Sequence, residues 1–228
     1  MEKNIYEKMY DDWKNSGNLS DSPRIKVMLS MLDRMNMENK NILDIGCHDG
    51  TFLSLAKNRN NNFFGLEASE WGAEKSRGKG IQVTKYFFND ADKLPYQDSF
   101  FDAVVAGEII EHIFDTDFFL EEIKRVLKPG GKLIISTPNI VSLGRRLLML
   151  LGISPIIEIS PNCPESVGHI RYFTFKAIER LIRKHDFAIL SLQSDCVNFS
   201  ENGRIKSALL AKIFPRLGAS IICLATIK

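Results

Sequence analysis

Short apolar runs of strand length alternate along this chain with stretches whose apolar residues recur every three or four positions. The strand-like runs cover residues 41–45, 63–67, 81–86, 101–106, 132–136, 187–193 and 219–227. Ahead of the first, Ile25, Met28, Leu29, Leu32 and Met35 follow Ser22-Pro23 at helical spacing, with proline at an early helical position. Helical spacing returns from about residue 50 to 58 and again after Ser69, with Glu70 in the first turn and Gly78 or Gly80 as the stop. Asp115 or Thr116 caps the next helix, whose inward stripe is Leu120, Ile123, Val126 and Leu127. Glu121 faces Arg125 one turn on, and Pro129-Gly130-Gly131 ends it. A further helix runs from Thr174, as cap, to about His185.

Strands alternating with helices predict an α/β fold with a doubly wound, mostly parallel seven-stranded sheet and right-handed crossovers. Too few residues separate Gly218 from the last strand to hold an ordinary helix, so strand 7 is expected to run antiparallel. The rhythm breaks over residues 139–172, where a short helix leads into a tract rich in Pro, Ile and Ser. A stretch this long inside a compact domain is usually functional, here as an irregular insertion. Residues 1–228 read as one domain, with 1–40 as an N-terminal helical segment. Its Tyr6, Tyr10 and Trp13 are either core and capping aromatics or part of a flap over a ligand.

Composition narrows the class. The 228 residues suffice for one well-buried core. Thirty basic against 28 acidic residues leave a net charge of +2, which offers no global attraction to a polyanion, so no nucleic-acid partner is expected. Cys47, Cys163, Cys196 and Cys223 lack metal or redox spacing and read as reduced thiols, in keeping with a cytoplasmic location. No run approaches the length of a membrane span. Arg145-Arg146 before Leu147-Leu-Met-Leu-Leu151 suggests either a contact of residues 145–159 with a membrane surface, a pocket for a lipid-like acceptor, or a helix packed over the sheet edge as a lid.

The chemistry concentrates where the first strand ends. Gly46-Cys-His-Asp-Gly50 is a glycine-bounded turn between a strand and a helix, the position at which open α/β sheets bind ligands. A dinucleotide turn needs glycine in the middle, and here that position is His48. Asp44 and Asp49 flank the turn and would repel a pyrophosphate, but they suit a ligand that is cationic where it meets the loop, as S-adenosylmethionine is. Glu67, ending strand 2, is placed to meet ribose hydroxyls, which NAD and S-adenosylmethionine share.

With Leu43-Asp-Ile-Gly-Cys-His-Asp-Gly50, the motifs Gly65-Leu-Glu67, Asp90-Ala91 before Leu94-Pro-Tyr96, Phe100-Phe-Asp-Ala-Val-Val105, Glu108-Ile-Ile-Glu-His112 and Arg125-Val-Leu-Lys-Pro-Gly-Gly131 resemble the class I S-adenosylmethionine-dependent methyltransferases. The group includes the ubiquinone-biosynthesis O-methyltransferases. The resemblance spans roughly residues 40–140 and extends to the 169–187 segment. It implies a Rossmann-like methyltransferase fold with strand order 3-2-1-4-5-7-6 and S-adenosylmethionine as cofactor. Asp44, Gly46 and Cys47 would form the methionine-side turn, Glu67 would bind the ribose, Asp90 and Ala91 would read the adenine, and Gly107 would lie beside the sulfonium. Members commonly carry glycine where this chain has His48.

Methyl transfer from a sulfonium is an in-line displacement that needs alignment and desolvation, and a hydroxyl acceptor also needs a base. If residues 108–112 are helical, Glu108, Glu111 and His112 share one face. His112 and His169 are the candidate catalytic residues. Together with Glu108 and Glu111 they also have the chemistry of a divalent-cation site, although no metal is assigned. The expected function is methyl transfer to a small-molecule acceptor at a hydroxyl oxygen. The alternatives are an RNA 2′-O-methyltransferase and a non-catalytic cofactor-binding or scaffold protein of the same fold.

Overall fold

The computed structural model describes residues 19–56, 60–88, 92–156, 168–199 and 205–228. Seven strands form one sheet: β1 (Asn41–Ile45), β2 (Asn62–Glu67), β3 (Gln82–Lys85), β4 (Phe101–Gly107), β5 (Leu127–Pro138), β6 (Phe187–Gln193) and β7 (Ser220–Ile227). Their order is β3-β2-β1-β4-β5-β7-β6, as expected. Every pairing from β3 to β5 is parallel, and β7 runs antiparallel between β5 and β6.

Helices cover both faces. Those of eight residues or more are α1 (Pro23–Arg34), α3 (Glu70–Gly78), α4 (Thr116–Val126), α5 (Leu143–Leu150) and α6 (Phe175–Lys184). Two are shorter, α2 (Thr51–Leu55) and α7 (Ala208–Ile213). The apolar stripe of α4 and that of α6 close on one face, around Phe101, Leu133 and Phe187. On the other face Ile25, Met28, Met31 and Leu32 of α1 bury against Ile42, Val105 and Ile134. Burying four such side chains stabilises the fold by about 1.5–3 kcal/mol each, before entropy is deducted. This is why a helix preceding the first strand is part of the domain.

The expected caps are in place. The Ser69 side chain accepts from the Gly72 N–H, Asp115 from Phe118 and Thr174 from Ala177. Two local expectations fail. The sequence Pro129-Gly130-Gly131 does not precede the fifth strand but lies within it, where the β4–β5 register shifts between Phe101 and Ala103. Arg125 does not pair with Glu121. It bonds Glu122 with two nitrogens, pairs with Asp98 and caps the carbonyls of Leu94 and Tyr96. Glu121 instead receives His185, brought across from the end of α6.

Tyr6, Tyr10, Trp13 and Cys163 lie outside the described residues. The other three cysteines are buried thiols, as read from the sequence. Among the described residues no helix is long and apolar enough to cross a membrane.

Candidate active site

β1 delivers the chain to Gly46 in the left-handed region, at φ +74°, and Gly50 closes the turn at the same angle. Gly46 is needed twice over. A Cβ there would lie 2.2 Å from Ile109 Cδ1, so the position requires both the backbone freedom and the missing side chain. The next strand holds the turn together, since the Gly46 and Cys47 N–H groups both donate to the Leu66 carbonyl. His48 also has a positive φ, +50°, and its N–H donates to Glu67 Oε2 at 2.8 Å. Its ring lies 5.3 Å from that of Trp71. The Cys47 side chain fits over Gly65 and reaches Ser76 at 3.7 Å.

The two aspartates of the turn differ. Burial would raise the Asp49 carboxyl, but bonds from His48, Lys79 and Thr51 outweigh it and hold the group well below the ordinary range. Its charge is already met by Lys79 Nζ, 2.8 Å away, although the residue lines the same cavity as Asp44. Asp44 is the opposite case. Burial, reinforced by the charge of Glu67, pushes its carboxyl up to about 8, and among the described residues no cation offsets this. Glu67 is also buried, with Oε1 accepting from the Ser69 N–H and hydroxyl. Each oxygen of Glu67 retains lone-pair capacity beyond these bonds.

Both carboxylates line a cavity of about 380 Å³ together with Gly46, Cys47, His48, Gly107 and Met28. A Cβ on Gly107 would approach Met28 Cε to 3.2 Å, so α1 presses on the end of β4 and forms one wall. Asp90 and Ala91 lie outside the described residues.

The opposite wall is the stretch after β4. It is a 3₁₀ turn at Ile110–His112 rather than an α-helix, entered through Glu108 at φ +56°. Glu108 therefore leaves the common face expected for it. It pairs with Arg24 at 2.7 Å and accepts from the Ser136 hydroxyl. Glu111 and His112 do converge, and His169 joins them. The segment from Gly168 is fastened to the turn by the Ile170 and Arg171 N–H groups donating to the Glu111 carbonyl, and by the Arg171 guanidinium donating to the carbonyls of Ile113 and Phe114. His169 Nε2 lies 3.8 Å from Glu111 Oε1, and the two imidazole centroids are 4.9 Å apart.

The His112 tautomer follows from its partner. Nδ1 lies 3.0 Å from the Gly168 carbonyl, which only accepts, so Nδ1 carries the proton and Nε2 is the basic nitrogen of the neutral ring. Glu111 is 1% exposed, and among the described residues neither carboxyl oxygen finds a hydrogen bond of normal geometry. Burial, then the Glu108 charge, holds its carboxyl well above the ordinary range, against a pull from Thr137 and Arg24. One ligand atom from each of Glu111, His112 and His169 lies within 4.8 Å of the others, a donor set that suits a general base or a divalent cation.

His112 and His169 also line the cavity that holds Asp44 and Glu67. Arg24, Met28 and Thr137 were not legible as site residues. The first two sit in a helix that reads only as amphipathic, and Thr137 is one hydroxyl in an apolar strand.

The raised carboxyl of Asp44 predicts a pH effect on cofactor binding. A cation meeting this carboxylate must release its proton, so affinity is expected to rise about tenfold from pH 6 to pH 7, the limit for one proton. The group's pKa is raised by folding from 3.8 to about 8, so its contribution to the stability of the cofactor-free protein is full below 3.8 and is lost as pH rises through about 8. Titration calorimetry in buffers of different ionisation enthalpy checks proton release, and Asp44→Asn should flatten the profile. A flat wild-type profile would mean that Asp44 does not meet the cation.

A family described as a methyltransferase domain matches residues 22–192. The chain is 32% identical to a ubiquinone biosynthesis O-methyltransferase of Chelativorans sp. over 123 residues, 52% of this chain and 46% of that protein. It is 34% identical to a norajmaline N-methyltransferase of Rauvolfia serpentina over 113 residues, 46% of this chain and 38% of that one. The chain thus spans less than half the length of these relatives. A Thermotoga maritima structure, described as an S-adenosylmethionine-dependent methyltransferase and possible histamine N-methyltransferase, superposes with a TM-score of 0.71 at 21% identity. That superposition covers all of both chains and shows the shared fold.

Proposed function

Because the chain belongs to the methyltransferase-domain family, as a class I S-adenosylmethionine-dependent methyltransferase, we propose that it methylates a small-molecule acceptor at a hydroxyl oxygen. The observation that carries this reading is one cavity with two unlike walls. On one wall are buried carboxylates at a glycine turn, and on the other are two imidazoles beside a buried carboxyl.

The residues present fit the cofactor. Asp44 is matched by no cation among the described residues, Glu67 retains acceptor capacity for ribose hydroxyls, and Gly46 and Gly107 leave the backbone bare where the two strands end. S-adenosylmethionine, when bound, supplies a methyl group already activated by a positive sulfur. Gly46, Cys47, Asp44 and Glu67 would hold it, with Asp90 and Ala91 at the adenine.

The chain's part in the chemistry is then alignment, exclusion of water and removal of one proton. Met28 and Ile25 of α1 make that wall apolar and keep water from the reacting centre. His112 Nε2 accepts the hydroxyl proton as the oxygen gains its methyl. His169, oriented by Glu111, stabilises the charge that results. Residues 139–172 are the segment that selects the acceptor.

The test is a transfer assay with ¹³C-methyl-labelled cofactor against extracted metabolites, read by the carbon shift of the product methyl. An O-methyl signal lost in the double variant His112→Ala/His169→Ala supports the reading. An N-methyl product would place the chain with acceptors of the kind named for the Rauvolfia relative and remove the need for a base. No cofactor binding at all would leave only the scaffold alternative.

A further inference from the structure

We propose that the edge of the domain formed by α5, α7 and the small hairpin between them docks on an anionic membrane surface. The hairpin pairs Val197–Asn198 with Lys206–Ser207. Helix α5 packs on it, since a Cβ on Gly144 would lie 3.3 Å from the Asn198 carbonyl, and α7 leaves directly from its second strand. These elements follow the ends of β5 and β6, strands that run the same way because each is antiparallel to β7. They therefore gather at the carboxyl edge of the sheet, where the cavity also lies.

Two observations concur. The first is apolar exposure. Of the sixteen large apolar side chains exposed among the described residues, eleven fall in residues 143–156 and 197–217. Leu150 is 82% exposed and Leu151 74%, and α5 has no buried residue at all. A soluble monomer rarely leaves so concentrated an apolar face bare.

The second observation is charge. Over the described residues of 139–156 and 196–217 the charged side chains are Arg145, Arg146, Lys206, Lys212 and Arg216, with no aspartate or glutamate among them. Over the full sequence of residues 139–167 and 196–217, Arg145, Arg146, Arg204, Lys206, Lys212 and Arg216 stand against Glu158, Glu165 and Glu201, still a cationic excess where the whole chain carries 30 basic against 28 acidic residues. Apolar side chains interspersed with cations form the pattern that enters the boundary between headgroups and acyl chains. A second copy of the same chain would set five cations against five, and a neutral apolar partner would leave them unmatched. An anionic bilayer satisfies both features.

The experiment is sedimentation of the full chain with vesicles of phosphatidylcholine alone and with about 30% phosphatidylglycerol, at low and at 0.5 M salt. The expected result is binding to the anionic vesicles, at least tenfold weaker on the neutral ones, and weakened by salt. Leu150→Asp/Leu151→Asp should reduce binding at least tenfold, and Arg146→Glu/Lys212→Glu should abolish the preference for anionic lipid. All four residues are exposed, so circular dichroism of the variants should match the parent. Failure of the parent to bind anionic vesicles overturns the proposal, as does undiminished binding by the leucine variant. A dimer in the absence of lipid that the leucine variant dissolves would assign the face to self-association and equally overturn it. None of these readouts depends on methyl transfer, so the docking and the catalytic readings fail separately.

Discussion

His112→Ala is expected to lower kcat by roughly 10²–10⁴, the usual contribution of a positioned base, while leaving the cofactor Kd nearly unchanged. The separation follows from geometry. The imidazole sits on the turn after β4, held by the Gly168 carbonyl, whereas the residues assigned to the cofactor sit at the ends of β1 and β2. His169→Ala should be milder, because His169, oriented by Glu111 at 3.8 Å, supports the proton transfer without taking the hydroxyl proton itself. The double variant should fall little below His112→Ala alone, since residues that act as one unit are not additive. Single-turnover kinetics with saturating acceptor is the measurement. A chelator arm belongs beside it. Turnover that survives chelation assigns the cluster to proton transfer, and turnover restored only by a divalent ion assigns the same three ligand atoms to a metal. If all of these variants keep full turnover, the cluster has no part in the chemistry.

Gly46→Ala is the second large effect. The substitution forces an L side chain to φ +74° and sets its Cβ 2.2 Å from Ile109 Cδ1 and 2.8 Å from Cγ1. The backbone strain alone costs about 1–3 kcal/mol of stability. Ile109 lines the cavity, so moving it also changes the cofactor's space, and affinity should fall by at least about tenfold. Gly50→Ala supplies the control. Its φ is also +74°, but its Cβ would meet Ile81 and Ser76, away from the cavity. Both variants should unfold at lower denaturant concentration, and only Gly46→Ala should lose affinity out of proportion to its stability. Equal losses in the two would show that the turn matters for folding alone.

These two sites mark what the sequence made legible. The antiparallel β7 and the three helix caps were readable because chain length and capping are settled within a few residues of each position, whereas the strand order came with the family resemblance. Glu121 and Arg125 were read as partners on the same local logic, and tertiary contacts overrode it. Arg125 found the carboxylate of Glu122, next to Glu121, and the carbonyls of Leu94 and Tyr96, and His185 claimed Glu121 from more than sixty residues along the chain. Pro129-Gly130-Gly131 has the chemistry of a stop, yet an irregular register lets a strand carry it.

At the site, the residue types were visible and their states were not. Asp44 and Asp49 look alike in sequence. One carboxyl is pushed up by burial and Glu67, and the other is drawn down by His48, Lys79 and Thr51, because Lys79 comes from the far end of α3. His112 and His169 were both named, but the backbone bonds that bring them together belong to Ile170 and Arg171, which carry no sequence signature for that task.

The place of β7 in the sheet has a consequence for how the molecule is made. Strands β1 to β5 can find their neighbours in the order in which they leave the ribosome. β6 cannot, because its neighbour in the sheet is residues 220–227, which are translated after it. Until they appear, the edge of β5 is open, and the apolar residues of β6 and α6 have an incomplete surface to cover. The sheet can therefore close on β6 only when residues 220–227 slide into the gap beside β5.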